Sequence, residues 1–450
     1  MSTRDRNLGD KVQHSGVRIS SIPLHGSARF GFIRSPLIFT PQSLPPRHSV
    51  HFPPIPPVRT TASRPRSPPR KFAESGFVQL NVAEKIEEED IPGYNPEDYY
   101  PARIGDVFES RYQLVSKLGF GVNSTVWLCR DLLEHRYLTL KLRVRAKRDD
   151  HVRKHDDQEV TVSHHLNNMP IEHPGKKMIR TVVDSFEVSG PCGSHKCLLY
   201  RPLGMNFTEL LNLLPEKRFS KELFQRNVSP NNILQNVEDD SVLSQMEQGE
   251  IKQPIARKIL NDRVIYNSRP MPLSKGLPIL CDFGEARIGN RKHRGDIMPG
   301  IYRAPEVILG MEWDTKVDIW SIGVIAWNLL EGSNLFFARA SGLLNDEQHL
   351  AEMVSLMGPP PPEFLRRSEK CRQYWDDQGN WKGSIPIPDQ SFEIRERWLS
   401  DEDRNLFLRF MRRIVRWMPE DRPTAEELAY DDFLMQPYLA SHPEMRENDA

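Results

Sequence analysis

From Val107 onward, apolar and polar positions alternate. YQLVSKLGFGVNSTVWLCRDLLEHRYLTLKLRV has the period of two expected of strands, with turn signals between the runs. After Leu203 the spacing becomes mainly helical. TKVDIWSIGVIAWNLLEG is apolar on nearly every face, which predicts a helix buried inside a lobe rather than lying on one. LFLRFMRRIVRWM is amphipathic, and Thr424 with Glu427 forms a capping box for the helix that follows. No repeat period stands out. Strands first and helices after predict an α+β domain in two parts.

Composition changes the picture at the N-terminus. The 450-residue chain holds 61 basic and 61 acidic residues, so no global charge directs it to nucleic acid or a membrane surface. Residues 1–73, however, carry twelve Lys/Arg, two acids and twelve of the 37 prolines. Such a segment buries too little surface to fold alone, so residues 1–75 are expected to be a disordered tail. Its Arg- and Ser-rich, acid-poor character also fits a mitochondrial transit peptide, although the prolines oppose the amphipathic helix that one needs. The acidic run EKIEEEDIPGYNPEDYY then predicts a linker over residues 76–103, lying on the folded part. Five cysteines without a C-x-x-C pair fit free thiols in a reducing compartment. The apolar runs are too short and too polar to span a bilayer.

Several short stretches carry chemistry. In LGFGVNSTVWL, Gly119 and Gly121 sit between two strands and would let the backbone approach phosphates closely. Alone, a Gly-X-Gly turn marks only a hairpin. Lys141, in YLTLKL, is a cation among large apolar residues and needs a partner. Glu159, in DDQEVTVSHHL, is a candidate on a predicted helix. CDFGEARIG then places Asp282-Phe283-Gly284 after the apolar strand LPIL. IYRAPEVILG, DIWSIGV and EDRPTAEEL follow in that order. Their shared order and spacing carry weight that no single one has.

With these motifs, residues 104–438 resemble the eukaryotic protein kinases, and among them the fungal SR-protein kinases. The resemblance implies a two-lobed kinase fold, with an N-lobe over about 104–203 and a C-lobe over about 204–438. It implies ATP and Mg²⁺ as cofactors and a protein substrate, Arg-Ser-rich in character. It further implies a monomer in the cytoplasm or nucleus. Leu118, Gly119, Phe120, Gly121, Val122, Asn123, Ser124, Thr125 and Val126 would cover the nucleotide. Lys141 would hold its phosphates while paired with Glu159, and Asn232 and Asp282 would ligate Mg²⁺. Tyr200 would guard the back of the base pocket, with Arg201 to Leu203 as the hinge. Glu306 would pair, buried, with Arg422. Residues 235–277 would be a short form of the spacer insert of SR-protein kinases.

The chain departs from that pattern where transfer should occur. In RNVSPNNIL, Asn227 stands where the catalytic aspartate belongs, and Gln225-Arg226 replaces the usual His-Arg. From Gly204 to Arg226 there are 23 residues, too few for the long helix expected before this loop. The gap looks like a deletion of roughly twenty residues, about 30 Å of helix at 1.5 Å per residue. Such a loss is expected to bare apolar surface on the helix near Asp318 to Leu330. Ser229 replaces the usual catalytic-loop lysine. Between Asp282 and Glu306 there is no Ser or Thr, and Pro299 takes a usual threonine's place. Ordering of this loop by phosphothreonine is therefore not expected. Two functions remain: a serine/threonine kinase with a damaged catalytic loop, or a pseudokinase that binds nucleotide as a scaffold.

Overall fold

The computed structural model describes residues 65–145, 158–170, 173–214, 216–226, 233–274, 276–289 and 291–442. Alternation in the first part builds one antiparallel sheet. Its strands are β1 (Val107–Phe108), β2 (Tyr112–Gly121), β3 (Ser124–Asp131), β4 (Arg136–Arg143), β5 (Asp184–Gly190) and β6 (Gly193–Tyr200), in the order β1-β2-β3-β4-β6-β5. Residues opposite one another in a ladder share a face. Val126 with Lys141 and Leu128 with Thr139 thus point one way, and Trp127 with Leu140 the other. The second face buries Leu114, Trp127, Cys129, Leu138 and Leu140 beneath Ala102, Phe108 and Tyr266. Helix α1 (Gln158–Asn168) is pinned beside the sheet by the Val182 amide, which donates to Ser163 Oγ at 3.0 Å.

The remainder is mostly helical. Three short strands, β7 (Leu203–Asn206), β8 (Ile233–Asn236) and a later one, form a small sheet below the first. Between β8 and that later strand come the hairpin β9 (Arg257–Ile259) and β10 (Val264–Tyr266), after which β11 (Pro278–Leu280) completes the small sheet. Helix α2 (Phe207–Leu213) packs on β7 and β8, α3 (Lys221–Arg226) follows it in the chain, and α4 (Ser241–Lys252) packs on β2. Helix α5 (Lys316–Glu331) is the axis of the second core, with Trp320, Val324, Trp327 and Leu329 wholly buried. Helices α6 (Asp401–Ile414) and α7 (Asp432–Ser441) pack around it through Phe407, Phe410 and Phe433. No helix among the described residues is long and apolar enough to cross a membrane.

Three expectations are corrected. First, α5 is not left bare by the short connection before it. Phe219 and Phe224 are fully buried, and Phe224 meets Phe433 at 6.1 Å between ring centroids. The apolar residues of α5 are buried, with Ile322 and Ile325 partly so. Phe219, just before the six-residue α3, and Phe224 within it cover what a longer helix was expected to cover.

Second, residues 65–75 do not behave as a free tail. The Ser67 amide donates to the Leu132 carbonyl at 2.8 Å, and the Arg70 amide to Gln113 Oε1 at 2.7 Å. Phe72 packs with Val115, Leu128, Leu243 and Met246.

Third, the acidic stretch is fastened rather than merely resting on the fold. Lys117, 1% exposed, donates to Glu88 and lies 3.3 Å from Glu87. Lys258 donates to Glu89 at 2.7 Å. A buried ammonium is tolerated only when paired. Glu88→Ala should therefore cost about 1–3 kcal/mol, limited by the remaining Glu87. It should also speed amide exchange over residues 84–98. Urea unfolding unchanged within 0.5 kcal/mol, roughly the scatter of neutral surface substitutions, would refute this role.

The insert at 235–277 packs on the first sheet. Leu243 and Met246 of α4 pack on Val115 and Leu128, and Tyr137 donates to Glu247 at 2.8 Å. Helix α4 therefore covers the sheet face that carries Lys141, further along the strands.

Candidate functional site

The alternation of β3 and β4 sets Val126, Thr139 and Lys141 on one sheet face, above β8 and β11. The space between is a cavity of about 280 Å³. It is lined by residues from both parts of the fold, among them Val126, Lys141, Glu159, Tyr200, Leu234 and Asp282. Lys141 Nζ lies 3.0 Å and 3.3 Å from the two Glu159 oxygens and 3.1 Å from Asp282 Oδ1. Glu159 is 2% exposed, whereas the Asp282 side chain is 57% exposed and open to the cavity. Asp282 also has φ of 64°, a left-handed backbone that aspartate tolerates better than most residues. The exposed Asp282 carboxylate, paired among the described residues only with Lys141, suits a divalent cation bound beside a polyphosphate.

The glycine turn forms the roof. Gly121 pairs with Ser124, so Val122 and Asn123 make a two-residue turn between β2 and β3. No atom lies within 4 Å of a Cβ built on Gly119 or Gly121, so the backbone there faces open space. Tyr99 fixes this turn from outside, its hydroxyl donating to the carbonyls of Gly121 and Val122 at 3.1 Å each.

Of the residues expected to contact nucleotide, Phe120, Gly121, Ser124, Val126, Lys141 and Glu159 line the cavity. Thr125 does not. The period of two turns it to the opposite face, where its Oγ1 accepts from the Trp127 indole at 2.9 Å. Leu118 packs beside Val115 and Leu128 instead. Gly119, Val122 and Asn123 lie along the turn without lining the cavity, and Leu203 is buried beside the lining residues Leu234 and Cys281. Asn227 and Asn232 lie outside the described residues.

Sequence reasoning missed Tyr99, Arg180, Thr139 and Cys281. Only Arg180 left a signal, as a cation at the start of the apolar run IRTVV. Burial, then the Glu159 carboxylate, pushes the Tyr200 hydroxyl well above the ordinary phenol range. Burial pushes the Cys281 thiol up to about 11, so it stays protonated and offers no thiolate nucleophile.

Comparison with known proteins agrees with this geometry. The family model for the protein kinase domain matches residues 271–434. The chain is 42% identical over 387 residues to a serine/threonine protein kinase of Aspergillus fumigatus, covering 82% of this chain and 96% of that one. It is 28% identical over 410 residues to the serine/threonine-protein kinase SRPK of Physarum polycephalum, covering 79% and 92%. A crystal structure of a kinase domain superposes with a TM-score of 0.56 at 20% identity, covering 76% of this chain and all of that one.

Proposed function

The chain belongs to the eukaryotic protein kinases, and we propose that its cleft binds ATP with Mg²⁺ while transferring phosphate poorly or not at all. The observation that carries the binding half is the Lys141 ammonium held between Glu159 and Asp282 under an open glycine turn. Lys141 would meet the phosphates, Glu159 would keep it oriented, and the exposed Asp282 carboxylate would take the metal. When bound, Mg²⁺ neutralises phosphate charge. Asn232 would be the second ligand by resemblance.

The substrate side rests on the relatives and on resemblance. A serine or threonine hydroxyl in an Arg-Ser-rich protein would lie against Asn227, whose amide can orient the hydroxyl but cannot accept its proton. The chain is then a kinase of SR-protein type with a damaged catalytic loop. One observation favours the pseudokinase instead: Phe219 and Phe224 close the shortened segment with full burial. Sequencing the transcript across codons 204–235 separates the two. Extra in-frame residues ending in His-X-Asp support the damaged kinase, and their absence supports the scaffold.

Isothermal titration should show Mg²⁺-dependent ATP binding that Lys141→Ala weakens roughly 10–100-fold, the loss of a charge-assisted contact. A folded protein that ATP neither heats on mixing nor stabilises thermally would exclude this function.

A further inference from the structure

The acidic segment before β1 reaches the glycine turn from behind. Its Glu88 and Glu89 are tied to Lys117 and Lys258. Asp98 accepts from Arg145 Nε at 2.7 Å, and the Arg145 amide donates to the Asp98 carbonyl at 2.8 Å. Arg263 donates to the Pro96 carbonyl. These anchors fix the buried Tyr99, whose ring also meets Tyr94 at 5.1 Å between centroids. Burial, then the Glu88 and Asp98 carboxylates, raises the Tyr99 hydroxyl above the ordinary phenol value, so it stays a donor.

Three consecutive carbonyls of the turn are taken from the protein side. Those of Gly121 and Val122 accept from the Tyr99 hydroxyl at 3.1 Å each, and that of Asn123 accepts from the Val144 amide at 3.0 Å. A trans peptide sets its N–H opposite to its C=O. The amides of Val122 and Asn123 therefore point away from Tyr99. Tyr99 lies with Thr125 and Trp127 on one face of the sheet, whereas Val126 and Lys141 line the nucleotide cavity on the other. Among the described residues neither amide donates to a backbone carbonyl. Two adjacent N–H groups aimed to the cavity side make a cradle for an anion. Left to itself, a turn that follows Gly119 and Gly121 would lose that aim, because glycine leaves many backbone conformations open.

We propose that Tyr99 is a positioning residue of the phosphate subsite. Its hydroxyl holds the peptides of the turn so that the Val122 and Asn123 amides are aimed before a nucleotide arrives. From the opposite face it does not reach the nucleotide itself. The proposal rests on the nucleotide-binding function above and concerns only what orients the turn.

ATP and adenosine share base and sugar and differ in the phosphates, so their affinities separate the turn from the rest of the cleft. Tyr99→Phe keeps the ring and removes only the hydroxyl. Titration calorimetry with Mg²⁺ on the full chain should show ATP binding weakened about fivefold in this variant, the scale of one hydrogen bond, with adenosine unchanged within about twofold. Amide exchange over residues 119–124 of the nucleotide-free chain should also quicken, a readout that does not depend on adenosine affinity. Asp98→Ala removes the neighbouring anchor to Arg145, leaves the hydroxyl in place and should shift both readouts the same way, which covers a Tyr99→Phe chain that does not fold. An unchanged ATP affinity in folded Tyr99→Phe would overturn the proposal, as would equal weakening of ATP and adenosine or unchanged exchange of the turn. Failure of the unmodified chain to bind ATP would instead overturn the nucleotide-binding function itself.

Discussion

Phosphate transfer to an Arg-Ser peptide should stay at background for this chain and for Asn227→Asp. It should appear only when a full helix and His-X-Asp are inserted between Gly204 and Arg226. Two faults act together. Without a carboxylate at position 227 there is no group to receive the hydroxyl proton, a loss of about 10²–10⁴-fold. The support before the loop is also short: α3 has six residues, Lys221–Arg226, and so spans only about 9 Å. A misplacement of ~1 Å can remove a further ~10²-fold. Restoring the aspartate alone leaves that short support unchanged, so little rescue is expected. Because Phe219 and Phe224 are fully buried, poor activity should not be accompanied by gross insolubility. Radiolabel transfer by the three proteins decides the matter, and robust turnover by the unmodified chain would overturn it.

Glu306→Ala should destabilise the helical part by about 3–5 kcal/mol, the cost of stranding a buried charge. Arg422 is fully buried and donates to both Glu306 oxygens at 2.7 Å. It also donates to the Arg416 and Lys316 carbonyls and lies 5.0 Å from the Trp320 ring centroid. Replacing both partners, as Glu306→Leu with Arg422→Met, removes the charge together with its counter-ion and should recover most of the loss. Urea denaturation of the single and double variants measures this. A single variant within about 1 kcal/mol of the parent would mean that the pair is of the weak, solvent-screened kind.

The sequence by itself determined those features whose cause is local. The alternation over β2 to β4 follows from the period of two that sends successive side chains to opposite faces of a sheet, so it read correctly as strands without knowledge of the fold. The all-round apolarity of Lys316–Glu331 likewise announced a central helix. The Lys141 cluster was legible through motif order, which the chain retains although its members lie 18 and 141 residues apart. Only the tertiary structure decided where lone charges go. The acids of the 76–103 segment read only as a linker lying on the folded part because composition counts charges without their partners; Glu88 meets Lys117 across 29 residues and Glu89 meets Lys258 across 169. Thr125 sat in the glycine motif, yet strand parity turned it away from the cavity. Arg180 and the Arg201 carbonyl come together through the packing of two segments 21 residues apart, and no period marks that contact. Periodicity records burial because burial repeats along an element. A long-range pair occurs once, and it exists only after the chain has folded.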